Sequence, residues 1–257
     1  MTNELFNIIN SYRDWQAFLL AAANGMIDGV TAFEQFARNP TTNTGDDIWA
    51  VDGVWTEVTT AAKCSIVSSS ANDTANGTGA RTFTVYGLDA NYNQISETVS
   101  LNGLTPVLTV NNYKVIHRGQ ATTFGSGGTQ AGDISGTSQD SGTPAMFKAL
   151  AYGNSTNLGF YIVPANHTLF IENIEVAFQS SSANGTADIV LRAKPFGGGY
   201  ILRANFPLSM GNANPPVRHY NYSLWFPEKT VIEFACTVAS HAADVTVWGN
   251  GLLIRTS

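Results

Sequence analysis

From Asp46 onward the chain alternates apolar and polar side chains again and again, and a period of two leaves little choice but β-structure. Phe83 and Val85 alternate with Thr82, Thr84 and Tyr86. Ile95, Val99 and Leu101 share one face of the next segment, and Ser96, Thr98 and Ser100 share the other. Between these two runs lies Gly87-Leu-Asp-Ala-Asn-Tyr-Asn93, a turn rich in residues that tolerate unusual backbone angles. Val107 to Ile116 reads as a further strand, as do Phe160 to Val163, Phe170 to Phe178, Ile189 to Lys194, Val231 to Val238 and Val245 to Ile254. No helix long enough for a βαβ crossover separates them, which disfavours a parallel α/β sheet. Short strands at regular spacing, punctuated by Gly, Asn and Pro, predict an all-β chain of sandwiches or jelly rolls.

The polar positions are filled in an unusual way. Charged residues make up only 12% of the chain, against roughly 25% in ordinary soluble domains. Ser, Thr, Asn and Gly take their place. Long helices need Lys, Glu and Arg on the wet face, whereas strands and turns do not. The net charge is -6 and the basic residues are scattered singly along the sequence, so nucleic-acid binding is not expected. The longest apolar run, Ala17 to Ala23, falls far short of the roughly 20 residues that cross a bilayer. No basic segment followed by an apolar core opens the chain, so no secretory signal is expected.

The first 45 residues follow a different rhythm. Leu5, Phe6, Ile8, Ile9 and Tyr12 fall at helical spacing, Trp15, Phe18, Leu19 and Ala22 continue the stripe, and Gly25 ends it. Thr31 and Glu34 have the spacing of a capping box, with Phe33 and Phe36 as an apolar side, so a second short helix is expected up to Asn39-Pro40. Asn39 to Asp47 reads as a polar linker. Such an arm must bury its stripe somewhere, and the linker suggests docking on a neighbouring subunit.

A Gly/Ser/Thr stretch from Thr122 to Thr143 interrupts the strand pattern, and its end is read as a boundary. The expected organisation is a helical arm and linker at 1–45, a first β-sandwich at 46–140 and a second at 141–257. A weak echo links the halves: Ser68-Ser-Ser-Ala-Asn-Asp-Thr74 resembles Ser180-Ser-Ser-Ala-Asn-Gly-Thr186. Related sandwiches and convergence of simple turns both account for it.

Residues that could carry chemistry are few. Asp89, Asn91 and Asn93 have the one-three-five spacing of a calcium loop, but Gln94 and Ser100 stand where the glycine and the bidentate glutamate belong. A hairpin turn closed by Asx bonds is the other reading. His117, His167, His219 and His241 show no metal-ligand spacing, and no metal or cofactor is expected. Cys64 and Cys236 read as small buried hydrophobes, with a long-range disulfide as the alternative. Asp46 with Asp47, or Glu172 with Glu175, could be imagined as an acid/base pair, but nothing beyond their presence supports an enzyme. Tyr200, Phe206, His219, Tyr220, Tyr222, Trp225 and Phe226 gather near the end, and suit core packing, a subunit interface or a carbohydrate platform.

Several segments resemble one family. They are Asn39-Pro40 with Thr44-Gly-Asp-Asp-Ile-Trp-Ala-Val-Asp-Gly53; the long run from Ser65 through Asn93 to Leu101-Asn-Gly103; and Gly125-Ser-Gly-Gly-Thr129 with Gly132-Asp-Ile134. Looser similarity follows at Tyr161 to Thr168, Arg192 to Gly197 and Phe226 to Lys229. Together they resemble virion structural proteins of tailed phages of aquatic bacteria, although the family carries more glycine after Ile-Trp. The resemblance covers most of residues 39–230 and brings no catalytic residues. It implies a structural protein of the virion, assembled in the host cytoplasm. The leading expectation is a capsid decoration (cement) protein binding major capsid subunits. The alternative is a tail or fibre-associated host-attachment protein binding a surface glycan. Expected partners are other virion proteins and copies of the chain itself, a trimer being the expected homo-oligomer. Candidate interface residues are Phe6, Ile9, Trp15, Phe18, Leu19, Tyr220, Tyr222 and Trp225.

Overall fold

The computed structural model describes residues 15–180, 182–210 and 217–256, with only the backbone of Trp15 and of residues 217–223. Among the described residues the chain is almost entirely antiparallel β-structure after one short helix, as the alternation predicts.

That helix, α1 (Trp15–Ala23), ends as expected at Gly25. Gly25 adopts φ +67, its N–H donates to Ala22 O, and the next N–H, of Met26, donates to Ala21 O. This is the left-handed stop that closes many helices, and glycine takes it without strain. Phe18, Ala21 and Ala22 of α1 pack with Ile27, Val30, Leu252 and Ile254. The helix therefore docks on its own chain, contrary to the expected docking on a neighbour. Residues 1–14, including Phe6 and Ile9, lie outside the described residues.

The second expected helix is a strand, β1 (Val30–Thr42). Phe33 and Phe36, three apart, would share a helix face; in a strand they point to opposite sides. Phe33 enters a core and Phe36 is exposed. Register decides the matter, because β1 pairs residue by residue from Val30 to Asn39 with β15 (Ala243–Arg255). Nor is Asn39 to Asp47 a free linker: Asn39, Thr42 and Asp47 are all buried.

Two sandwiches follow. The first joins a sheet of β5 (Val107–Tyr113), β2 (Ala62–Ser68), β7 (Ile134–Ser138) and β8 (Ala145–Ala149), in that spatial order. Its facing sheet holds β4 (Gln94–Ser100), β3 (Ala80–Leu88) and β6 (Val115–Phe124). Cys64, Ile66, Phe83, Val85, Tyr113, Ile134 and Phe147 fill the space between. The second joins β1, β15, β10 (His167–Ser180) and β13 (Val217–Phe226) to β12 (Ile201–Ser209), β11 (Thr186–Lys194), β14 (Val231–Ala239) and β9 (Phe160–Ile162). Its core includes Ile171, Ile174, Val176, Ile189, Leu191, Phe206, Val245 and Val247.

Two boundaries therefore move. The Gly/Ser/Thr stretch is not the end of the first sandwich: it contains β7, which pairs with both β2 and β8. Glycine is needed there, since a Cβ on Gly136 would lie 2.1 Å from the Phe147 ring. Residues 30–42, placed in the arm by the sequence, complete the second sandwich.

The strand order repeats. β5-β2-β7-β8 in the first sandwich matches β13-β10-β15-β1 in the second, and β4-β3-β6 matches β12-β11-β14. The sequence echo sits at equivalent places, just after β2 and just after β10. Ser70 N donates to Ser68 Oγ at 3.0 Å, and Ser182 N to Ser180 Oγ at 3.2 Å. Asn72 N donates to Ser70 Oγ at 3.2 Å, and Asn184 N to Ser182 Oγ at 3.4 Å. The same pair of serine bonds thus recurs in the same topological position.

The sandwiches share a wall. On β9, the residue after it and β14, Phe160, Ile162 and Val231 enter the first core, while Val163, Ile232 and Phe234 enter the second.

Candidate subunit interface and the polar seam

Several of the large exposed apolar residues lie on sheet edges. In the second sandwich, Ile201 and Leu202 on β12 and Trp225 on β13 are exposed, Trp225 by 58%. These strands are the edges of the two facing sheets. Arg203 of β12 lies 5.3 Å from the Phe226 ring of β13, which places the two edges side by side. In the first sandwich the equivalent edges are β4 and β5. There Leu108 and Val110 of β5 are exposed, Val110 by 79%, and Leu104 precedes them on the connecting loop. Glu97 of β4 accepts the N–H groups of Val110 and Asn111 at 2.6 and 2.9 Å, tying those edges together. The topologically equivalent edges of both sandwiches thus carry large exposed aliphatic or aromatic groups.

Of the residues singled out by sequence, Trp225 belongs to this surface. Phe18 does not: it is 1% exposed, inside the cluster beneath α1, with Leu19 packed against it. Tyr220 and Tyr222 lie on β13, where the register with β10 jumps from Ile171↔Leu224 to Asn173↔His219. Their side chains, and that of Trp15, lie outside the described residues. Sequence reasoning missed Leu104, Leu108, Val110, Ile201 and Leu202. The strand pattern does hold a signal. On β5, Thr109 is buried, with its hydroxyl accepting from Cys64 N at 2.9 Å and donating to Asn111 O at 2.8 Å, so the flanking Leu108 and Val110 must face out.

A second arrangement gathers charges that are far apart in sequence. Arg192 and Glu233 are cross-strand partners on β11 and β14. The Arg192 guanidinium bonds Glu233 Oε1, and its Nη2 lies 3.2 Å from Asp47 Oδ1. Tyr200 donates its hydroxyl to Glu233 Oε2 at 2.5 Å, and Arg192 sits 4.7 Å from the centre of its ring. Burial and that bond to Glu233 push the Tyr200 phenol up. Asp47 Oδ2 accepts Trp55 N–H at 2.7 Å. Beside this group, Glu57 pairs with Lys194 at 2.7 Å and Lys114 at 3.5 Å. Lys229 lies 5.8 Å from the Tyr92 ring and 5.4 Å from Phe196. The result is a polar seam where the sandwiches meet.

Other candidates resolve into structure. Asp89 Oδ1 accepts Asn91 N and Asn93 N at 2.8 and 2.9 Å, and Asp89 Oδ2 accepts from Asn93 Nδ2 at 3.1 Å. The loop is closed by Asx bonds, with N–H donors where a cation would need oxygens. Desolvation is the largest single effect on the Asp89 carboxyl and pushes it up, but the bonds to Asn91 and Asn93 together outweigh it and draw the carboxyl below its ordinary range. Cys64 and Cys236 are free and lie in different cores, which excludes the disulfide alternative. Burial pushes their thiols up to about 12 and about 11. His117 Nε2 accepts Ile162 N–H at 3.3 Å, beneath the Tyr161 ring, and desolvation pushes its imidazole down to about 3. Among the described residues, no group of three or more His, Cys, Asp or Glu is placed to hold a metal ion.

No family model matches the chain, and no curated protein does. Among solved structures, the chain overlays a structure of infectious bursal disease virus Gt strain at 8% identity. The overlay covers 90% of this chain and 78% of that one, at a TM-score of 0.21, a value that does not define a common fold.

Proposed function

We propose that this chain is a structural subunit of a virus particle, a decoration protein that binds capsid subunits and copies of itself. The observation that carries the binding role is the large apolar groups exposed on the equivalent edges of the two sandwiches, Leu104, Leu108 and Val110 on one and Ile201, Leu202 and Trp225 on the other. Large apolar groups gathered on an exposed edge suit contact with another protein. The weak charge of the rest of the surface suits close packing in an assembly. The likeness of residues 39–230 to phage virion proteins supports the location. Nucleic acid and membranes are not among its partners in this reading, since its 13 basic residues are scattered singly and the net charge is -6.

Quantitative gels of purified particles test the reading. A decoration subunit is present in hundreds of copies per particle. A few to tens of copies would move the protein to the tail or a fibre, and absence from particles would overturn the proposal.

A further inference from the structure

Asp47 and Glu233 are both 1% exposed, yet one guanidinium serves them both. Asp47 belongs to the connector that leaves β1 for the first sandwich; Glu233 belongs to β14 of the second. The charges facing the pair are few. Arg192 comes from β11, the neutral Tyr200 hydroxyl from the turn after it, and Asp46 from the connector itself. Lys194 also lies over the Tyr200 ring, at 5.4 Å, but is committed to Glu57. Two ionised carboxylates would leave this buried group with a net negative charge. Removing charge from water without a matching partner is costly, so such pairs hold a proton.

We infer that Asp47 and Glu233, sharing Arg192, form a proton-held clasp between the connector and the second sandwich, closed while Asp47 keeps its proton and loosened when Asp47 ionises. Ile48 and Trp49 lie next to Asp47 and enter different cores, and Asp47 holds the Trp55 amide. Trp55 in turn stacks on Phe160 at 4.3 Å. Loosening the clasp therefore acts where the two sandwiches meet. This inference does not depend on what binds the apolar edges.

The direction follows from linkage. Burial, then the Glu233 charge, pushes the Asp47 carboxyl up to about 7, against a weaker pull from the Trp55 N–H and Arg192. In the unfolded chain an aspartate ionises near pH 4. Between those values the folded chain holds the extra proton, so stability falls as pH rises through this window and stays low above it. His117 has the opposite slope, because it stays neutral in the fold and charges in the unfolded chain below about pH 6.5. The two must be separated by experiment.

Carbon-detected titration of the aspartate carboxyls in the intact chain does so. Asp47 is expected to titrate within about a unit of pH 7, with the Trp55 amide signal moving in step. An Asp47 midpoint below pH 5 overturns the clasp. Asp47→Asn gives a second reading, since it removes the proton but keeps an oxygen for the Trp55 amide. The variant should melt above the wild type at pH 8.5, and that advantage should shrink towards pH 5. A variant that melts below the wild type at pH 8.5 overturns the clasp as well.

Discussion

Ile48 and Trp49 are neighbours in the chain and are buried in different hydrophobic cores. The connector between the sandwiches is thus a wedge, held on both sides, rather than a tether. Gly45 N donates to Cys236 O and Ile48 N to Phe234 O, so the wedge also extends the edge of β14.

Such a wedge should make the sandwiches unfold together. Trp49→Ala leaves a cavity beside Phe160, whose ring lies 5.6 Å away, and a large-to-small change of this kind costs about 3–5 kcal/mol. Calorimetry should show one transition for the wild type and one, at lower temperature, for the variant. Two separate endotherms in the wild type would show that the shared wall does not couple the cores.

Asp73 anchors the loop after β2 and is fully buried. Its carboxylate accepts Ser68 Oγ, Ala80 N, Ala131 N and Gly132 N at 2.6 to 2.9 Å. Asp73→Ala strands those donors, each costing about 1–3 kcal/mol when left unpaired in the interior. The variant should lose at least about 3 kcal/mol in urea unfolding. In the equivalent loop of the second sandwich Gly185 stands in this place, where a Cβ would fall 2.3 Å from Ser180 Oγ. The two loops share their serine bonds but not an anchor.

How much of this was legible follows from the range of the interactions. β3, β4 and the turn at 87–93 could be read because alternation and Asx chemistry are local. Gly25 could be read as a helix stop for the same reason. β1 was hidden because Phe33 and Phe36 fit a helix face equally well, and only pairing with a strand some two hundred residues away decides between them. β7 was hidden because Gly136 gives up its side chain to make room for Phe147. The seam was illegible for a similar reason: Asp47, Arg192 and Glu233 meet only after the sheets form, and each looks like an ordinary surface charge in sequence.

The cis docking of α1 reverses the sequence expectation and can be tested directly. Deleting residues 1–28 uncovers Val30, Leu252 and Ile254. Each large aliphatic side chain kept from water contributes roughly 1.5–3 kcal/mol. The truncated chain should therefore melt several degrees lower, with Phe18→Ala showing part of the loss. An unchanged melting temperature would mean that α1 adds nothing to its own sandwich and is free for another subunit.

The apolar edges give the prediction on which the proposed function rests. Leu202 and Trp225 face solvent on adjacent strands, so removing them takes away little that the isolated chain needs. Exposed substitutions away from caps and networks usually change stability by no more than about 0.5 kcal/mol. Contacts between subunits are different, since a central aromatic anchor can be worth about 2 kcal/mol or more. Leu202→Ser with Trp225→Ser should therefore leave the melting temperature nearly unchanged while weakening self-association in light scattering and binding to particles. Leu108→Ser with Val110→Ser should do the same on the first sandwich. Their effect should be smaller, because an aliphatic pair replaces a tryptophan. If both pairs leave association and particle binding intact, the edges are bystanders and the partner surface lies elsewhere. If instead the pairs unfold the chain, the edges belong to its own stability and the interface reading fails.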